Sequence, residues 1–276
     1  MASADQEPQP KEQEHQDETH ERPPRFEPEE AAVFAQALRL LAETGIPHAL
    51  GGALALHSYT GIWRDTKDLD VFLKPSDLAT AFGTLAGAGF ETSVEERHWL
   101  AKARREPYFI DLLFGTSHGR LKVDDAWFGS GRTVEFEGVT VGVIPLEQLL
   151  VSKLYIAVHD RFDGSDVVHL IRATRGRLDW QRVLSLLGDN QQLLLWHLIL
   201  FDLVYPGHAD YLPQDLVAQL FERMRARWPE PTDPTAFRGT LLDPYAFTVD
   251  VEEWGYQDRR DRAPLVDDED SQRQGS

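Results

Sequence analysis

Two short stretches, LGG at residues 50–52 and DLDVFL at residues 68–73, decide how this 276-residue chain is interpreted. Side chains alternate along a strand, so Asp68 and Asp70 would share one face of the second stretch and the apolar residues between them the other. The Cβ atoms of the two aspartates would lie roughly 6.5 to 7 Å apart, and their carboxylates would repel each other unless a cation neutralised them. The pattern therefore predicts a site for one divalent cation or a close pair.

A third acid interrupts an otherwise apolar run, YFIDLLF at residues 108–114. Such a run is typical of a buried strand, and Asp111 within it requires a partner if it is buried. The distance along the chain from Asp70 leaves room for one helix and a pair of strands. We therefore expect Asp111 to return beside Asp68 and Asp70.

Gly51 and Gly52 stand between a predicted strand at 46–50 and a predicted helix at 53–59. Two glycines at such a junction let the backbone approach a ligand closely. The helix that follows offers free N–H groups and the positive end of its dipole to an anion. A phosphate group fits this description.

The order of strand, glycine turn, helix, Asp-x-Asp strand and later single-Asp strand resembles the nucleotidyltransferase superfamily typified by DNA polymerase β. The run RDTK at residues 64–67, just before Asp68 and Asp70, resembles the Arg-x-Thr-x-Asp-x-Asp pattern common in small bacterial stand-alone members. These include aminoglycoside nucleotidyltransferases, minimal nucleotidyltransferases and toxins of abortive-infection systems. The resemblance covers about residues 31–175.

This resemblance implies an NTP substrate and a cofactor of Mg²⁺, with two ions expected and Mn²⁺ as an alternative. By position, Gly51 and Gly52 match the turn that holds the triphosphate, and Asp68, Asp70 and Asp111 match the three catalytic, metal-binding acids. The implied reaction moves an NMP group from the NTP to a hydroxyl of an acceptor, which is a small molecule, an RNA or a protein.

Further nucleotide contacts are expected from three basic residues. Lys153 lies beside the apolar stripe of a predicted helix at 146–159, where its ammonium either reaches a triphosphate or extends to water. Arg64 and Lys67 are the two bases of the RDTK run, and each either touches phosphate or is a surface charge. The sequence departs from the family at Ala53, where relatives often have a serine that contacts phosphate.

The predicted fold class is α+β: a polymerase β-like mixed sheet with flanking helices, followed by an α-helical domain. Helical periodicity replaces the short strand-like runs after Pro145. The expected organisation is a disordered acidic arm (1–30), a nucleotidyltransferase domain (31–144), a helical domain (145–230), a packed C-terminal segment (231–256) and a disordered tail (257–276).

Composition excludes several classes of protein. The chain has no cysteine, which rules out disulfide frameworks and thiol catalysis, and its formal charge of −18 argues against non-specific binding to nucleic acid. We expect neither a signal peptide nor a membrane segment, and hence a cytoplasmic protein. Two alternatives stay open: an inactive nucleotide- or partner-binding module of the same fold, and the toxin of a toxin–antitoxin pair, for which an antitoxin partner would be expected.

Overall fold

The structure of the chain is a computed structural model. It describes residues 24–129, 131–228, 233 and 235–267. Most of the predicted acidic arm (1–23) and the end of the predicted tail (268–276) lie outside this part of the chain. Among the helices it describes, none combines the length and the apolar character that crossing a membrane requires.

Strands and helices alternate through the first half of the chain, and helices dominate the second. Within the described residues the α-helices are α1 (Pro28–Thr44), α2 (Gly52–Thr60), α3 (Leu78–Gly87), α4 (Leu146–Leu154), α5 (Gly164–Thr174), α6 (Trp180–Leu187), α7 (Gln192–Val204), α8 (Gln214–Arg227) and α9 (Thr248–Glu252). The strands are β1 (His48–Leu50), β2 (Asp68–Leu73), β3 (Glu91–Glu96), β4 (Leu100–Arg105), β5 (Tyr108–Leu113), β6 (Thr133–Phe136), β7 (Val139–Gly142), β8 (Ala157–Val158) and β9 (Arg161–Phe162).

The central sheet has the strand order β1-β2-β5-β4-β3. Strands β2 and β5 are parallel, whereas the other neighbouring pairs are antiparallel. The sheet is therefore mixed, and together with its flanking helices it confirms the predicted fold class. The parallel pair matters most for function, because its register places Asp70 directly beside Asp111.

One face of β2 is buried against helices α1 and α3. Leu69, Val71 and Leu73 are at most 1% exposed and share a core with the apolar stripes of these two helices. Because alternate residues of a strand point to opposite faces, this burial directs Asp68 and Asp70 to the other side of the sheet.

A second core forms on that other side, between the sheet and the helices of the second half. The ring of Phe72 stacks on Trp127 with centroids 5.1 Å apart, and apolar residues of α4, α5, α6 and α7 join the same cluster. The helical region therefore packs on the side of the sheet from which Asp68 and Asp70 project.

The fourth helix is shorter than predicted. The periodicity indicated a helix over 146–159, but α4 ends at Leu154 and the chain turns into the β8–β9 hairpin. The backbone N–H of Asp163 donates to the carbonyl oxygen of Ile156 (3.1 Å), a bond that a continuing helix would not allow. This early end brings residues 161–163 back towards the sheet.

Both predicted disordered ends contain residues that pack on the body. In the described part of the tail (257–267), the N–H of Leu265 donates to the carbonyl oxygen of Arg97 (2.9 Å), and Val266 is 5% exposed. The prediction of disorder from residue 257 is therefore wrong for this segment. In the predicted arm, Phe26 packs edge-on against aromatic rings of the first core, and α1 begins two residues later.

Candidate active site

Three aspartates meet on the face of the central sheet against which the helical region packs. Asp68 and Asp70 project from β2, and the parallel register sets Asp111 of β5 next to Asp70. Each of the three side chains offers a carboxylate oxygen, and these oxygens all lie within 4.8 Å of one another. We call Asp68, Asp70 and Asp111 the carboxylate triad. The structure thus brings together the three acids that the sequence singled out.

The surroundings of the triad do not favour three ionised carboxylates. Burial, and then the charges of Asp68 and Asp111, raise the pKa of Asp70 to about 7. Burial also raises the pKa of Asp111. Carboxylates this close remain ionised together only beside a cation, and a donor set made of carboxylate oxygens suits Mg²⁺ or Mn²⁺ rather than softer metals. The residues present therefore fit a hard divalent cation.

Two neighbours that the sequence analysis did not assign hold the triad in place. Lys102 of β4 stands opposite Asp111 in the sheet, donates a hydrogen bond to its carboxylate and lies 4.3 Å from the ring centre of Phe109. The hydroxyl of Thr66 donates to Oδ1 of Asp68 (2.6 Å). Lys102 could have been found from the sequence only by predicting β4 and its pairing with β5, because that register places Lys102 opposite Asp111.

The glycine turn lies directly against the triad. The N–H of Gly51 donates to the backbone oxygen of Asp70 (2.9 Å), and Gly52 opens α2 with φ +50°. A Cβ atom at Gly52 would lie 1.7 Å from Oδ2 of Asp70, and one at Gly51 would lie 2.3 Å from the ring of Phe72. Only glycine therefore fits at either position, and the free N–H groups of the first turn of α2 begin beside the carboxylates.

A buried cluster of opposite charges lies at the start of α5. Lys153 is 5% exposed, and its Nζ is 2.9 Å from Oδ2 of Asp163 and 2.6 Å from Oδ2 of Asp166. Arg161 donates to both carboxylate oxygens of Asp163, at 2.8 Å each. The sequence predicted that Lys153 either reaches phosphate or extends to water, and it did not predict these ion pairs. The ammonium is buried, so the prediction that it extends to water is wrong.

This cluster is close enough to the triad to act on it electrostatically. Lys153 and Arg161 both lower the pKa of Asp70, against the larger effects that raise it. Asp70 in turn contributes to raising the pKa of Arg161, of which the hydrogen bond to Asp163 is the main cause. The side chain of Arg161 is 61% exposed, so its guanidinium also faces the solvent.

The two bases of the RDTK run have different surroundings. Arg64 forms an ion pair with Asp166, and its Nη2 is 3.2 Å from Oγ of Ser165, so it links the loop before β2 to α5. Its side chain is 41% exposed. Lys67 is exposed. Arg64 therefore connects the loop before β2 to helix α5, while Lys67 lies on the surface.

A glycine turn at a helix N-terminus, three converging carboxylates on a mixed sheet and nearby cations are the arrangement expected of a nucleotidyltransferase. Residues 31–196 match the family model described as "Uncharacterised nucleotidyltransferase", and the chain belongs to this family.

Several solved structures are similar to this chain. The antibiotic-resistance factor ANT(2'')-Ia is 15% identical, with 58% of this chain and 90% of that chain covered at a TM-score of 0.43. The lincomycin-bound lincosamide antibiotic adenylyltransferase LnuA is 17% identical (50% and 94%, TM-score 0.38). An antigenic nucleotidyltransferase-like protein from Paracoccidioides brasiliensis is 18% identical (60% and 89%, TM-score 0.40). No curated protein sequence matches this chain.

Proposed function

We propose that this nucleotidyltransferase moves an NMP group from an NTP to a hydroxyl of its acceptor, at the carboxylate triad and with the help of Mg²⁺. The observation that carries the proposal is the convergence of the carboxylate oxygens of Asp68, Asp70 and Asp111 within 4.8 Å of one another. Three carboxylates this close are stable together when they hold a cation, and a divalent cation at this position supports transfer to a hydroxyl group.

The triad would hold the cation, because its donors are all carboxylate oxygens. Once bound there, one or two Mg²⁺ ions, or Mn²⁺ in their place, would lower the pKa of the acceptor hydroxyl and neutralise phosphate charge. Thr66 and Lys102 orient Asp68 and Asp111 respectively by the hydrogen bonds described above. Asp111 accepts the proton that the acceptor hydroxyl loses as it attacks the α-phosphorus.

The glycine turn and the basic residues would bind the triphosphate. A Cβ would not fit at Gly51 or Gly52, so phosphate oxygens can approach the N–H groups at the start of α2 in their place. Arg161, the more exposed of the two cations in this cluster, would stabilise the charge that develops as pyrophosphate leaves. Lys153 supports the same charge from its buried position.

The acceptor is a small molecule, an RNA or a protein, and each class carries suitable hydroxyl groups. One of the similar proteins, LnuA, is bound to lincomycin, and ANT(2'')-Ia is in complex with an adenylylated tobramycin. Small molecules with several hydroxyl groups are therefore the first acceptors to test.

The experiment is a transfer assay with each of the four NTPs, labelled in parallel at the α- and the γ-phosphate, against a panel of acceptors with and without Mg²⁺. Nucleotidyl transfer predicts that α-label joins the acceptor and γ-label leaves in pyrophosphate. Asp68→Asn and Asp70→Asn should each reduce transfer by at least about 100-fold. The matched control is Asp215→Asn, an exposed acid on α8.

Two outcomes would overturn the proposal. Transfer of γ-label with release of NDP would make the protein a kinase. A chain that binds NTP tightly yet labels no acceptor from any class would support the binding-module alternative.

A further inference from the structure

Helix α7 presents an apolar face that nothing in the described part of the chain covers. Ile199 is 49% exposed, Leu203 77% and Val204 47%, and Trp196 is 41% exposed on the same helix. Phe162 of the β8–β9 hairpin, 46% exposed, stacks on Trp196 with ring centres 5.6 Å apart. We call these five side chains the α7 face. Trp196, Ile199 and Leu203 are neighbours because residues three and four apart lie side by side on a helix, Val204 follows Leu203, and Phe162 joins them through Trp196.

The residues outside the described part of the chain offer little apolar surface that could cover the α7 face. The residues that the structure does not describe are 1–23, 130, 229–232, 234 and 268–276, and Met1 is the only large apolar residue among them. All other residues in these ranges are charged, polar, proline, alanine or glycine. An apolar surface of this kind is therefore either left in water or covered by another molecule.

The size and the charge of the α7 face favour a second copy of the same chain. Side chains of this size that are about half exposed contribute about 100 Å² each, so five of them offer about 500 Å² per copy. Two such faces together, before their polar rims are counted, reach the roughly 1,000 Å² that a stable interface needs.

The absence of charge in the α7 face is compatible with the same occupant. The chain has a formal charge of −18, so two copies repel each other, and an apolar surface adds no further repulsion where they meet. In α7 the only ionisable groups are Asp202, at the edge of the face, and His197, which is fully buried. An apolar face can pack against its own copy about a two-fold axis without bringing like charges together at its centre.

We propose that this protein forms a two-fold symmetric dimer in which the α7 face of one copy packs against the α7 face of the other. The contact is isologous, so the same side chains are buried in both copies of the dimer. A single charge placed in the face is therefore repeated across the axis and weakens the dimer twice.

The test is the mass of the full chain in solution, measured by light scattering and sedimentation from about 1 to about 100 µM. The native chain should be a dimer, and Leu203→Glu should weaken the dimer at least about 100-fold and give a monomer. Tyr245→Glu is the matched control, because it places the same charge on a side chain that is 87% exposed outside the α7 face. It should leave the dimer intact.

Cross-linking provides a second measurement that does not depend on weakening the fold. The native chain contains no cysteine, so Ile199→Cys and Leu203→Cys each introduce one thiol. A short bis-maleimide should join two copies in at least one of these variants and should leave Tyr245→Cys uncoupled. A native chain that stays monomeric at about 100 µM, or a dimer that survives Leu203→Glu, would overturn the proposal.

Discussion

Replacing Asp70 with asparagine should stabilise the metal-free protein at neutral pH. The folded protein holds the pKa of Asp70 at about 7, whereas its ordinary value is 3.8. Between these two pH values the folded state binds a proton that the unfolded state has released. The contribution of Asp70 to stability is therefore present below about pH 3.8, falls as the pH rises, and reaches its lowest level above about pH 7. Asparagine keeps the shape of the side chain without the charge.

The size of this effect follows from the two pKa values. The two values differ by about 3 pKa units, and each unit corresponds to about 1.4 kcal/mol. Ionised Asp70 therefore lowers the free energy of unfolding by about 4 kcal/mol at pH 8. At about pH 4.5 the same relation gives a destabilisation by Asp70 of about 1 kcal/mol. In a chain of this size, 1 kcal/mol shifts the unfolding temperature by about 2 to 4 °C. Asp70→Asn should therefore raise Tm by about 8 to 16 °C at pH 8 and by about 2 to 4 °C at pH 4.5.

The assay is thermal unfolding followed by circular dichroism in excess EDTA at several pH values, with Asp215→Asn as the control. In a second series, Mg²⁺ should raise the Tm of the native chain at pH 8 and leave the Asn variant nearly unchanged, because the ligand binds only where the triad is complete. A gain in Tm that is equal at pH 4.5 and pH 8 would refute the reasoning, since repulsion between carboxylates must vary with pH. A loss of Tm at pH 8 would refute it as well.

Three further predictions concern residues around the triad. Gly52→Ala places a Cβ against the carboxylate of Asp70 and strains a positive φ, so nucleotidyl transfer should fall at least about 100-fold while the circular dichroism spectrum is kept; a nearly active variant would contradict the close approach. Lys102→Met removes the cation that lowers the pKa of Asp111, so the acidic limb of the pH–rate profile should move upward, and an unmoved limb would show that Lys102 does not act on Asp111. Lys153→Met leaves two buried carboxylates without their shared cation and should lower the free energy of unfolding in urea by about 3 kcal/mol, whereas a neutral result would mean that water reaches the cluster.

Local sequence patterns predicted the elements that carry the site. The alternation in DLDVFL gives β2 its bounds at residues 68–73, and the glycine pair marks the start of α2. The convergence of Asp111 with Asp70 could be expected because both lie in strands of one small sheet, yet its physical cause is the parallel register of β2 and β5, which no local pattern specifies.

The partners of the triad could not be predicted, because they depend on contacts between distant parts of the chain. Lys102 is one base in a polar strand until the register with β5 sets it opposite Asp111. In the same way, Lys153 and Asp166 belong to different helices, and only the packing of α4 on α5 buries them together. The early end of α4 was missed because periodicity reports which residues are apolar and not where a backbone hydrogen bond interrupts the helix.

The parallel pairing of β2 and β5 also has a consequence for how the chain assembles. Parallel neighbours cannot be joined by a tight turn, so the connection from β2 to β5 runs through α3 and the β3–β4 hairpin. Contacts between residues far apart in sequence form slowly, because the intervening loop loses entropy first. The mutual repulsion of the acids therefore opposes a step that is already slow, and a solution that protonates or screens them should speed refolding as well as strengthen the finished protein.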